Sequence, residues 1–163
     1  MTRRMLALVF TFAAGAIVGH VAIPSVAAQL AEHGVVRAQT HKPVFMTRLY
    51  TGSDNQTHAE EVEVKFTGGS PGEAFKMMQV TGAELHRGAA GNVSDWHRGP
   101  SRRYVITLSG RGELEVEGGK KISVEPGHIE LIEDTTGKGH ITRNMGAEDR
   151  VTLTLPLVDQ SGR

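Results

Sequence analysis

From Val44 onward the chain alternates apolar and polar residues in short runs, the pattern of β-strands with one face covered and the other in water. Residues 61–66 (EVEVKF) and 113–117 (ELEVE) alternate charged with apolar side chains. Residues 44–50 (VFMTRLY) and 104–108 (YVITL) are rich in β-branched and aromatic residues, which suit a pleated surface. Residues 121–124, 129–132, 140–143 and 151–155 continue the series, and MMQVTGAELH over 77–86 predicts one or two strands broken near Gly82. Turn clusters punctuate these runs at 51–55, 68–72, 88–94, 109–112, Gly118-Gly119, Pro126-Gly127 and 134–139. No stretch of this part sustains a 3.6-residue repeat. Short strands with a turn every eight to twelve residues or so predict an all-β sandwich or barrel.

The N-terminus follows another rule. Arg3 and Arg4 precede an apolar run over 5–23 that holds no carboxylate, followed by Pro24 and the small residues Ser25, Val26, Ala27 and Ala28. That is the order of a secretory signal, with cleavage expected after Ala28 or Ala27. The alternative is an uncleaved anchor, since the run is about long enough to cross a bilayer. Residues 29–43 show no periodicity, end in Pro43 and read as a linker. The expected organisation is a signal peptide or anchor over 1–28, a linker over 29–43, one β domain over 44–158 and a disordered tail over 159–163. Export to the periplasm or cell envelope follows, with membrane contact only through the first segment.

Composition narrows the class. The 163 residues suit one domain, and 39% hydrophobic with 22% charged residues is ordinary for a globular chain. Lys plus Arg equals Asp plus Glu at 18 each, so no basic field recommends nucleic acid as a partner. Loss of residues 1–28 leaves 16 basic against 18 acidic side chains. Cysteine is absent, which excludes thiol catalysis, Cys-ligated zinc and c-type haem.

Two stretches carry a resemblance. Asp95-Trp-His-Arg-Gly-Pro-Ser-Arg-Arg-Tyr-Val-Ile-Thr-Leu-Ser-Gly110 resembles the first motif of the cupin superfamily, a His-x-His, then a Glu, then a Gly ending the strand. His97 stands at the second His and Gly110 at the Gly, while Asp95 replaces the first His and Arg103 the Glu. Gly137-Lys-Gly-His140-Ile-Thr-Arg-Asn144 is similar to the second motif, after the Pro126-Gly127 turn. The resemblance covers roughly residues 90–156 and implies a jelly-roll barrel of short antiparallel strands, with the site inside it. Such barrels often pair through edge strands, which makes a homodimer an expectation.

Within such a barrel, alternate side chains point inward. His97, His140, Asp95, Arg103, Val105 and Thr107 are then expected in the lumen, with Tyr104, Ile106 and Leu108 on the opposite face. Two readings follow. Asp95, His97 and His140 could hold one divalent metal ion (Fe, Mn, Ni or Zn), with Glu133 as a fourth ligand or a substrate contact. Against this, Arg103 puts a fixed cation where the family has an anionic ligand. Alternatively Arg103 and the histidines form a metal-free site for a small anion, in which one His serves as general base, as in an isomerase. Arg103 could also simply pair with Asp95 or Glu133. His128 reads as an exposed turn residue, and Trp96 as a packing residue facing away from the lumen.

Overall fold

The computed structural model describes residues 41–69 and 71–158, so the signal segment, residues 29–40 of the linker and the C-terminal tail lie outside the described residues. Twelve strands follow in order: β1 (Val44–Thr51), β2 (Thr57–Val64), β3 (Thr67–Gly69), β4 (Gly72–Ala74), β5 (Glu84–Gly88), β6 (Val93–His97), β7 (Arg103–Ser109), β8 (Arg111–Glu115), β9 (Lys121–Val124), β10 (Ile129–Glu133), β11 (His140–Met145) and β12 (Arg150–Pro156). A single 3-10 turn, Glu117–Gly119, carries the chain from β8 to β9. Gly118 and Gly119 both sit at positive φ, where a Cβ would be strained, and this is why a Gly-Gly pair makes the hairpin.

The strands form a six-stranded sheet, β2-β1-β10-β7-β12-β5, a four-stranded sheet, β6-β11-β8-β9, and the small β3–β4 hairpin. From β5 onward the chain behaves as one long ribbon folded back on itself. β5 pairs with β12, β6 with β11, β7 with β10 and β8 with β9, and these pairs fall alternately in the two sheets. That nesting is the jelly roll. β1 and β2 extend the larger sheet beyond β10, β1 running parallel to β10. The fold is therefore the expected all-β jelly roll, built as two facing sheets.

Apolar residues gather in two clusters. One lies between the sheets: Leu49 and Ile132 from the larger sheet meet Leu114, Val116 and Val124 from the β8–β9 side. The other lies on the outer face of the larger sheet, where Met46, Val64, Tyr104, Leu131 and Leu157 are buried under Phe75, Met77 and Met78. The segment expected to begin a strand at Met77 is the cover of this outer cluster, held by a bridge from Val80 to Leu157 and by the Thr81 N–H donating to the Pro156 carbonyl.

The inner face of the larger sheet is largely polar. Thr47, Thr107, Glu130, Arg150, Thr152 and Thr154 are all buried there. Arg150 Nη2 donates to Glu130 Oε1 at 2.5 Å and to Thr107 Oγ1 at 2.8 Å, so charge and hydroxyl are both paired. The side chain reaches the facing sheet at Gly112, where a Cβ would come within 3.2 Å of Arg150 Cδ and 2.9 Å of the Arg143 carbonyl oxygen.

Candidate functional site

The two motif histidines meet. β6 and β11 pair with His97 directly opposite His140, and the ring centroids lie 4.5 Å apart with the planes tilted by 54°. His140 is buried and His97 half-buried. Gly139, at φ +82°, lets the strand enter here, because a Cβ would collide with the His97 carbonyl oxygen. This close approach requires glycine directly before His140, at a position that the Gly-x-x-His spacing of the second motif leaves open.

Each ring is pinned at Nδ1. His97 Nδ1 lies 2.8 Å from the Asp95 backbone oxygen, which can only accept, so Nδ1 carries the hydrogen of this bond and Nε2 is left for the pocket. His140 Nδ1 lies 2.6 Å from Asp134 Oδ2. Asp134 is fully buried, accepts a long 3.4 Å contact from Thr57 Oγ1, and leaves Oδ1 without a partner. Oδ1 would lie 3.6 Å from a Cβ at Gly99, so the 98–101 loop closes over it.

Asp134 was not singled out in the sequence because it opens a turn cluster. Alternation gave the available signal: Glu130 and Ile132 point inward on β10, and position 134 follows in the same phase. Glu133, the expected fourth ligand or substrate contact, has the opposite phase and is corrected accordingly. It faces outward, accepting from Arg48 Nε at 2.5 Å and Arg102 Nε at 2.8 Å. Burial alone would raise its pKa, but the two guanidinium hydrogen bonds outweigh this and hold the carboxyl below its usual range.

Asp95 does not join the histidines. The β6–β11 register slips between the 140–97 and 142–94 pairs, so β6 spends one residue more than its partner. A bulge of this kind breaks the alternation that would put residues 95 and 97 on one face. The Asp95 carboxylate is exposed and accepts the Trp96 N–H at 2.8 Å. Among the described residues no group of three or more His, Asp or Glu side chains is arranged to hold a metal ion. The donor set anticipated for a divalent ion at Asp95, His97 and His140 does not fit this geometry.

Arg103 lies on the inner phase of β7, opposite Ile132, as alternation requires. Its guanidinium donates to the Ser101 carbonyl at 3.1 Å and to Ser101 Oγ at 3.0 Å. It pairs with neither Asp95 nor Glu133, and it makes no ion pair among the described residues. Its neighbour Arg102 takes Glu133 instead.

A pocket of about 530 Å³ opens beside His97, lined by Trp96, His97, Arg98, Gly99, Pro100, Thr135 and Lys138. No carboxylate lines it. Its cations are Arg98 and Lys138 and not the anticipated Arg103. Trp96, expected to pack away from the site, forms part of the wall, with Lys138 Nζ 3.6 Å from its ring centroid. The bulge in β6 is what turns residues 96 and 97 toward the same opening. His128 likewise departs from the exposed turn expected of it. It is half-buried with Nε2 enclosed and unpartnered, and burial first, then the Arg150 charge, depresses its pKa below 6.5.

No family model matches the sequence, and no curated protein matches it. Similar solved structures include a cupin superfamily protein from Desulfitobacterium hafniense, at 15% identity over 53% of this chain and 74% of that one, with a TM-score of 0.40. The Cnp3 cupin domain of Schizosaccharomyces pombe matches at 16% identity over 72% of this chain and 86% of that one, with a TM-score of 0.39. An RmlC-like cupin protein from Desulfovibrio desulfuricans matches at 17% identity over 69% and 81%, with a TM-score of 0.36. The jelly-roll assignment rests on the strand order of this chain.

Proposed function

We propose that the protein is an exported small-molecule-binding protein of cupin type whose mouth pocket takes a small anion, and that the His97–His140–Asp134 group exchanges a proton with it, the chemistry of an isomerase or epimerase. One observation carries the reading: the His97 imidazole, held at Nδ1 and backed by His140, lines a pocket whose charged lining is wholly cationic. A carboxylate paired with Arg98 or Lys138 loses electron density to the cation. That eases removal of a proton from the carbon beside it, and His97 Nε2 is the base at the pocket wall. His140 lies behind His97, and buried Asp134 supports positive charge on the imidazoles as a proton arrives. The arginines and threonines of the interior hold the sheets in place and take no part. Export is supported by the signal-like order of residues 1–28.

The test is hydrogen exchange. The chain from Gln29 onward is incubated in heavy water with chiral 2-hydroxy and 2-amino carboxylates, and loss of the proton at carbon 2 is followed by NMR. Saturable exchange is expected, abolished in His97→Gln and slowed about 10²- to 10⁴-fold in Asp134→Asn. One equivalent of divalent metal in the purified protein, lost together with activity in His97→Ala, would replace this reading with a metal-dependent one.

A further inference from the structure

The pocket wall narrows the ligand class further, and this step rests on the anion reading above. Arg98 and Lys138 are exposed and make no ion pair among the described residues, so neither is neutralised by a carboxylate of the domain. Both line the pocket that the Trp96 ring walls. The Lys138 ammonium rests 3.6 Å from the Trp96 centroid, within reach of the ring's quadrupole. The larger apolar groups of the lining are the flat indole of Trp96 and the ring of Pro100, and Gly99 adds no side chain.

We infer that the pocket selects a carboxylate that carries an aromatic ring, the ring stacked on Trp96 and the carboxylate held by Lys138 and Arg98, with the carbon between them free to bear the exchanging proton. An aliphatic acid would use the cations and waste the ring. An uncharged aromatic would use the ring and leave the cations unpaired. A ligand with both features converts the Lys138 cation–π contact into a charge-assisted hydrogen bond and leaves a ring face for stacking. His97 lines the same pocket and faces the bound molecule.

Trp96 is the only tryptophan of the chain, so its emission reports this pocket alone. The experiment titrates the protein from Gln29 onward with benzoate, cyclohexanecarboxylate and benzamide, three probes of closely similar size. Benzoate is expected to change the emission saturably and to bind at least about tenfold more tightly than either of the others, the ratio that one stacking contact or one paired charge supplies. Lys138→Met should weaken benzoate about tenfold with an unchanged melting temperature, since the side chain is exposed. Trp96→Leu, followed by calorimetry, should bring benzoate down to the level of cyclohexanecarboxylate. Equal affinity for benzoate and cyclohexanecarboxylate would overturn the aromatic selection and leave the anion reading standing. Equal affinity for benzoate and benzamide would overturn the anion reading itself, and binding by none of the three would overturn the aromatic selection.

Discussion

The two faces of the larger sheet are built on opposite principles. On β10 the residues alternate between them: Ile129 and Leu131 join the outer cluster, Glu130 and Ile132 point between the sheets, and Asp134 follows just beyond the strand end. The outer face is a conventional apolar core in which Tyr104 and Leu131 fill space under Phe75, Met77 and Met78. The inner face of the same strands buries Glu130, Arg150 and Thr107 as one bonded set. One face depends on filled volume and the other on satisfied partners. Damage to the two should differ in kind, and especially in whether a second substitution can repair it.

Arg150→Ala strikes the inner face hardest. It leaves Glu130 buried without its cation, and a loss of about 3–5 kcal/mol in urea unfolding is expected. Glu130→Met combined with Arg150→Met removes both charges and should recover most of that loss, because an apolar pair of similar volume can replace a buried ion pair. A double variant as unstable as the single one would sink the claim that partners, and not shape, govern this face. Leu131→Ala on the outer face should cost about 2–5 kcal/mol through lost burial and a cavity, with no compensating polar change at a neighbour.

The smallest effect sharpens the comparison by pH. His128 has its pKa depressed in the folded state by burial and by Arg150. The unfolded chain therefore binds a proton more readily, and stability is expected to fall as pH drops below 6.5 toward the lower folded value. His128→Gln should flatten this part of the stability profile, measured by thermal unfolding across pH 7 to about 5. An unchanged slope would mean that the enclosed ring is not the titrating group.

These faces show what the sequence could tell and what it could not. Alternation over 150–156 (RVTLTLP) marks a strand plainly, yet alternation alone does not say which phase is covered when chain lies on both sides. Here the threonines are buried inside, while Leu155 packs on the outer cluster. The cover itself, residues 75–78, has no regular structure to announce it. The pairing of His97 with His140 was legible because motif spacing and strand phase agreed. Asp95 was misplaced by the one-residue bulge in β6, which depends on how two strands meet and has no local signature. The same bulge brought Trp96 to the pocket. Lys138, between two glycines in a turn cluster, had no signal in the sequence, and its place above the indole emerged only from the fold.

Gly112 lets three neighbouring strands close on one point. A Cβ there would press on the Arg143 carbonyl oxygen of β11 and Val124 Cγ2 of β9, both at 2.9 Å, and on Arg150 Cδ of β12 at 3.2 Å. The backbone oxygen is the contact that cannot yield cheaply, so a single methyl group at position 112 would have to move β11, the strand that carries His140. The spacing at the site is thus set in part by a residue that has no side chain.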